Sequence, residues 1–126
     1  MEGKIFVSNA FSLSMLTSFP ANLIIREVSV EDVKKLLSQS NFVSAVGHQA
    51  TADVLTKLLN VQIPFNRVQI QLNEGDVLVV FQLLTRLEEG KVLTEDELSK
   101  LQFKFLLVIN DIPVRVFVGN KKGKRK

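Results

Sequence analysis

The chain contains the segment Arg67-Val-Gln-Ile-Gln-Leu72, followed by Asn73-Glu-Gly-Asp76 and then Val77-Leu-Val-Val-Phe-Gln-Leu-Leu84. The first segment alternates polar and apolar residues, as a half-buried strand does, and the last is a nearly continuous apolar run. The four residues between them favour a turn, so the sequence predicts a β-hairpin over residues 67–84.

Further strand and helix patterns lie on both sides of this hairpin. Strands are predicted at residues 4–8, 20–28, 41–46 and 103–109, with a turn at 110–111 and an edge strand at 112–118. The polar residues Ser8, Asn9, Ser12 and Ser14 favour a turn that enters a short helical segment. Helices are also predicted after Ser29, His48 and Thr94, the last running to about Leu101. The pattern predicts one α/β (α+β) domain, a mixed five- to six-stranded sheet flanked by short helices.

The composition excludes several classes of protein. The chain has 126 residues, no cysteine and one histidine. Disulfides, thiolate nucleophiles and thiolate metal sites are therefore excluded, and one chain cannot build a zinc site from several histidines. No apolar run is long enough for a membrane span and no signal peptide is evident, so we expect a cytoplasmic protein with no membrane partner.

The positive charge is concentrated at one end of the chain. The net charge is +3, but five of the sixteen basic residues lie within residues 121–126. Residues 1–120 hold eleven basic and thirteen acidic residues, a net charge of −2. We therefore predict a domain over residues 1–120 and a basic, disordered tail over 121–126, with polymeric nucleic acid bound only through that tail.

Candidate functional residues follow a predicted strand end. His48 comes directly after Gly47, where a helix is expected to begin, and the amino end of a helix favours phosphate. A surface histidine at a helix start explains the same residues. Arg67 is either a phosphate clamp or a surface charge, and residues 86–90 are either a lid over an anionic ligand or a solvated connection.

Five segments, taken together, resemble one family. They are Asn9–Leu16, Ala45–Thr51, Asn66–Val68, Asn73–Asp76 and Arg86–Leu93. Their order and spacing are similar to those of the viral ring nucleases, small anti-CRISPR proteins that archaeal viruses and phages use against type III systems. The similarity covers roughly residues 3–109.

The resemblance implies a homodimer that binds cyclic tetra-adenylate and cuts it to linear di-adenylate without a metal or another cofactor. It implies that His48 is the main catalytic residue and that Glu89 assists it. If the protein is viral, it would act in the host cytoplasm. The resemblance also implies ligand-binding residues at the positions that match the ligand pocket of relatives: Asn9, Ser12, Ser14, Gln49, Thr51, Arg67, Gln82 and Arg86.

The chain departs from the family at three positions. Gln49 and Ala50 stand where relatives usually carry Asp and Ser, and Ser14 stands where they often carry Asn. The hydroxyl missing at Ala50 motivates one alternative, a protein that sequesters a cyclic nucleotide without cutting it. A second alternative is a nucleic-acid-associated accessory protein that acts through the basic tail.

Overall fold

A computed structural model describes residues 3–84, 87, 90 and 92–111. Five strands are present: β1 (Ile5–Ser8), β2 (Asn22–Val28), β3 (Val43–Ser44), β4 (Val77–Leu83) and β5 (Phe103–Asp111). The helices are α1 (Val30–Ser38), α2 (Gln49–Leu59) and α3 (Glu95–Ser99), with a short 3₁₀ helix at Leu13–Met15. The predicted α+β class and five-stranded mixed sheet are confirmed, and the predicted strand at 112–118 lies outside the described residues.

The strand order in the sheet is β2-β5-β4-β1-β3. β1 runs parallel to both β3 and β4, whereas β5 runs antiparallel to β4 and β2. The carboxyl ends of β1, β3 and β4 therefore meet at one edge of the sheet. In open α/β sheets this is the edge at which ligands bind.

Two helices begin at the predicted capping boxes. The Ser29 hydroxyl accepts from Asp32 N at 3.0 Å and the Asp32 carboxylate accepts from Ser29 N at 3.4 Å. Thr94 and Glu97 make the same reciprocal pair, with distances of 3.1 and 3.0 Å. Each box satisfies two backbone N–H groups that the first turn leaves unpaired, which fixes where these helices start. α3 ends at Ser99, slightly before the predicted Leu101.

The helices cover one face of the sheet. Val33 and Leu37 of α1 and Leu55 and Leu59 of α2 are at most 2% exposed. They pack with four buried strand residues, Val7, Val79, Phe81 and Phe105. The rings of Phe81 and Phe105 lie 5.1 Å apart, within the range of favourable aromatic pairs. This cluster holds α2, and with it His48, against the sheet.

Among the described residues, no helix is both long and apolar enough to cross a membrane.

The predicted hairpin is wrong. β4 is paired with β1 on one side and β5 on the other, so it has no open edge for residues 67–72. That segment instead crosses the second face of the sheet, where Ile70 and Leu72 are buried against Leu78 and Val80. The alternation of residues 67–72 correctly marks Ile70 and Leu72 as buried, but β1 and β5 already occupy both edges of β4, the strand predicted to pair with this segment.

The turn predicted at residues 73–76 is confirmed. The Asp76 carboxylate within it helps to explain why β4 leaves this turn beside β1 and not beside residues 67–72. The Asp76 side chain is 4% exposed and accepts from Lys4 N and Asn73 N, both at 2.8 Å. It therefore ties the start of β1 to the start of β4, which sets these two strands side by side. Gly75 has a φ of 91°, a conformation that glycine adopts without strain.

Two further strand predictions need correction. The predicted turn at Asn110-Asp111 does not form, because β5 continues to Asp111 opposite Asn22. The Asn110 amide is buried and donates to Leu72 O at 2.8 Å. The strand predicted at 41–46 shortens to β3, because Asn66 N donates to Val46 O and its side chain donates to Ser44 O. Asn66 therefore takes up the carbonyls of residues 44 and 46, and the ladder between β1 and β3 covers only residues 43 and 44 of this segment.

Candidate functional site

A cavity of about 530 Å³ lies at the edge where the parallel strands end. Its described lining residues are Asn9, Gly47, His48, Thr51, Arg67, Phe81, Gln82, Leu83 and Leu87. Asn9 directly follows β1, Gly47 and His48 lie between β3 and α2, and Gln82 belongs to β4. The cavity therefore draws residues from three neighbouring strand ends.

His48 occupies the N-cap position of α2 but does not cap the helix with its side chain. Its Nδ1 instead lies 2.8 Å from the Thr51 hydroxyl, and Thr51 is 3% exposed. The backbone N–H groups of the first turn thus receive no side-chain cap, and no acidic residue lies in that turn. Such a helix end suits an anionic group, since the helix dipole places partial positive charge there.

Arg67 reaches the cavity because the chain before it is pinned beside β3. Asn66 N donates to Val46 O at 2.8 Å, and Asn66 Nδ2 donates to Ser44 O at 2.7 Å. These bonds place Arg67 over Gly47. No carboxylate is found among the described lining residues, and Arg67 adds a positive charge. The described wall of the cavity is therefore suited to an anion.

The structure brings five of the predicted site residues together: Asn9, His48, Thr51, Arg67 and Gln82. Two more, Arg86 and Glu89, lie outside the described residues. Sequence reasoning did not single out Gly47 as a contact of Arg67. It also missed the apolar wall formed by Phe81, Leu83 and Leu87. An apolar wall of this kind carries the same pattern as a core strand, so the sequence offers no signal that separates the two.

Three predicted ligand-binding residues do not line this cavity. Gln49 donates through its side chain to the Asp53 carboxylate at 3.0 Å, one helical turn later. The hydroxyls of Ser12 and Ser14 lie 2.9 Å apart, and Ser12 caps the 3₁₀ helix by accepting from Ser14 N. Ser14 lines a separate cavity of about 290 Å³ with Val68 and Ile70.

An apolar groove adjoins the cavity on the second face of the sheet. It has a volume of about 360 Å³, and its walls include Phe11, Ile25, Leu106 and Val108. Ile25, in β2, is 56% exposed, so this groove presents apolar surface to solvent. Asn9 and Gln82 line both the groove and the cavity. The two depressions are therefore contiguous.

The described residues contain no cluster of three or more His, Asp or Glu side chains that could hold a metal ion.

Comparison with known proteins gives consistent matches. The family model described as STIV B116-like matches residues 5–105. Uncharacterized protein 26 of Sulfolobus islandicus filamentous virus is 40% identical over 104 residues, covering 82% of this chain and 88% of its own length. Uncharacterized protein ORF117 of Acidianus two-tailed virus is 43% identical over 86 residues, covering 66% of this chain and 74% of its own length.

A bacterial relative and a solved structure also match. Uncharacterized protein YddF of Bacillus subtilis is 29% identical over 101 residues, covering 79% of this chain and 94% of its own length. The solved structure of B116 of Sulfolobus turreted icosahedral virus is 36% identical, with a TM-score of 0.77. That match covers 85% of this chain and 99% of that one.

Proposed function

The chain belongs to the STIV B116-like family, which includes proteins of archaeal viruses, and we propose that it is a metal-independent ring nuclease. The proposed substrate is cyclic tetra-adenylate, bound across a homodimer and cut to linear di-adenylate. In a cell this reaction would switch off type III CRISPR signalling, and a viral protein would carry it out in the host cytoplasm.

One observation carries the proposal: five residues implied by the family resemblance line a single cavity at the strand ends. They come from four separate segments, around Asn9, His48, Arg67 and Gln82. Their chemistry is that of a phosphodiester site, with an imidazole, a guanidinium, two amides and a helix amino terminus. A histidine exposed by chance at a helix start would not require the other four.

The residues suit cleavage by an internal nucleophile. A ribose 2′-hydroxyl gives up its proton to solvent water and attacks the adjacent 3′-phosphorus, the bond from phosphorus to the 5′-oxygen breaks, and a 2′,3′-cyclic phosphate forms. Holding this hydroxyl in line with the phosphate lowers the barrier by on the order of 7 kcal/mol. The departing 5′-oxygen takes a proton from His48, a general-acid step that contributes roughly 10²- to 10⁴-fold. Arg67 is positioned to neutralise the phosphate charge.

The size and symmetry of the ligand support a homodimer. A cavity of about 530 Å³ suits a drug-sized molecule, which is smaller than a ring of four nucleotides. The chain has one histidine, whereas two opposite cuts are needed to give two dinucleotides. A two-fold pair of chains supplies two equivalent His48 side chains. The exposed groove around Ile25 is the surface that we assign to the second copy, because it continues directly from the cavity.

The alternative of sequestration without cleavage is weakened by the position of Ala50. This residue is 5% exposed and lines a different cavity, together with Asp53 and Val54. The hydroxyl that relatives carry there is therefore not missing from the wall around His48. Since His48 itself is retained, this departure from the family does not remove the proposed proton donor.

The test is product analysis of cyclic tetra-adenylate incubated with the purified protein in EDTA. Linear di-adenylate ending in a 2′,3′-cyclic phosphate supports the ring nuclease. Tight binding without product after long incubation supports sequestration. A variant lacking residues 121–126 should cleave the ring at the wild-type rate. If the truncation instead abolishes binding to polymeric nucleic acid and the full chain leaves the ring intact, the accessory role is correct.

A further inference from the structure

The side chain of Thr51 faces His48 from within the first turn of α2. Thr51 is the third residue of the helix and His48 is its N-cap, so the two lie one above the other. The Thr51 Oγ1 atom lies 2.8 Å from His48 Nδ1, and the residue is 3% exposed. A hydroxyl this deeply buried has little freedom to move, so it constrains the more exposed ring beside it.

The usual N-cap arrangement is replaced here by a bond between two side chains. A capping residue ordinarily accepts from the backbone N–H of the third helical residue. His48 makes no such bond, and its Nδ1 is committed to the side chain of that third residue instead. The helix thus gives up a side-chain cap, and in exchange the imidazole ring is held in one orientation.

We propose that Thr51 is a positioning residue for His48, which fixes the ring orientation and assigns proton transfer to Nε2. The family resemblance gives Thr51 a different role, that of a ligand contact. The catalytic part of this inference rests on the proposed ring-nuclease function. The assignment of the ring nitrogens concerns the free protein and stands apart from that function.

The hydroxyl can serve the ring in both of its charge states. When the imidazole is protonated, Nδ1–H donates to Thr51 Oγ1 and Nε2–H points to the departing 5′-oxygen. The proton leaves from Nε2 to that oxygen, and the neutral ring keeps its proton on Nδ1, still bonded to Oγ1. The same bond thus persists through the step, and the ring need not turn or exchange nitrogens.

The variant that tests this role is Thr51→Val, with Thr51→Ser as its matched control. Valine keeps the shape of threonine but neither donates nor accepts, whereas serine keeps the hydroxyl. The chain has one histidine, so the ring ¹⁵N signals of the protein belong to His48 without further assignment. Circular dichroism of each variant checks that α2 is retained.

In the free protein, we expect the wild type and Thr51→Ser to give similar ring ¹⁵N signals, and Thr51→Val to shift the Nδ1 signal, because valine removes the hydrogen bond at that nitrogen. With the ring ligand, Thr51→Val should lower kcat tenfold or more, up to on the order of 10²-fold, with the ligand Kd nearly unchanged. Thr51→Ser should restore most of the rate. Unchanged ring signals in Thr51→Val, with Kd raised instead, would show that Thr51 contacts the ligand and would overturn the inference. If the wild type cleaves no ring at all, the proposed function fails, but the ¹⁵N signals still decide whether Thr51 positions His48.

Discussion

The side chain of Arg67 lies directly across the backbone of Gly47. A β-carbon added at position 47 would come within 3.1 Å of Arg67 Cγ and 3.7 Å of Arg67 Cα. The 3.1 Å distance is shorter than ordinary van der Waals contact, so a side chain at position 47 requires Arg67 to shift by at least a few tenths of an ångström. The glycine before His48 therefore does more than end a strand, because it allows Arg67 to pass close to the backbone of position 47 and to line the same cavity as His48.

Gly47→Val should weaken binding of cyclic tetra-adenylate by moving Arg67 away from the cavity. Loss of one charge-assisted hydrogen bond costs about 1.5 to 3 kcal/mol, or roughly 10- to 100-fold in Kd. Arg67→Ala sets the upper limit of this effect. Titration calorimetry measures the Kd change for Gly47→Val and for Arg67→Ala, with each substitution made in a variant that does not cleave the ring.

The double variant is the control for this mechanism. Once Arg67 is replaced by alanine, adding Gly47→Val should change Kd little, because the two changes act through the same side chain. Arg26→Ala, an exposed arginine on β2, should leave Kd unchanged. Fully additive effects of Gly47→Val and Arg67→Ala would mean that Gly47 acts independently of Arg67.

Much of the fold could be predicted because its signals are local. The capping boxes at Ser29 and Thr94 depend on residues three apart, and both helices start where these pairs indicate. The partner of β4 could not be predicted in this way. It depends on the Asp76 carboxylate binding Lys4 N, a contact that spans 72 positions in the sequence. A turn followed by an apolar run favours a hairpin locally, whereas contacts between residues this far apart in the sequence, including the pairing of β4 with β1 and β5, favour the observed sheet.

The site shows the same division between local and distant information. His48 and Thr51 are three residues apart, so their proximity follows from the helix alone. The bond from Gln49 to Asp53 is also local, since the two are four apart, and it holds Gln49 along the helix. By contrast, the meeting of Asn9, Arg67 and Gln82 depends on the strand order. The family resemblance indicated that meeting, whereas spacing along the chain did not.

Asp76→Ala should destabilise the fold by on the order of 3 kcal/mol. It removes a buried carboxylate that accepts from Lys4 N and Asn73 N, and both N–H groups lose their partner. Urea unfolding followed by circular dichroism measures the loss. Asp76→Asn retains one acceptor oxygen and should lie between the alanine variant and the wild type.

Glu74→Ala is the control for the Asp76 series, because Glu74 is exposed in the same turn. Its effect should stay within about 0.5 kcal/mol, as is usual for surface substitutions. Equal stabilities of Asp76→Ala and Glu74→Ala would show that the carboxylate does not join β1 to β4 as described.

Ile25→Asp should dissociate the proposed homodimer without unfolding the chain. Ile25 is 56% exposed and lines the apolar groove, so a charge there is tolerated in the monomer but costly in a dry interface. Light scattering after size exclusion should report a monomer, and ring cleavage should fall with the dimer.

Ile24→Asp is the matched control, because Ile24 points to the opposite face of the same strand and is 38% exposed. It should leave the dimer mass unchanged. If Ile25→Asp remains dimeric, or if the wild type is a monomer that cleaves the ring completely, the groove is not where the second copy binds.

His48 is proposed to protonate the leaving oxygen of a cyclic tetra-adenylate that is cut without a metal. A comparison of the wild type with His48→Ala in EDTA, with cleavage and binding measured on the same samples, tests this role. We expect the wild type to convert the ring to linear di-adenylate, and His48→Ala to bind the ring with similar affinity and release no product. Cleavage by His48→Ala at the wild-type rate would contradict the proposed role.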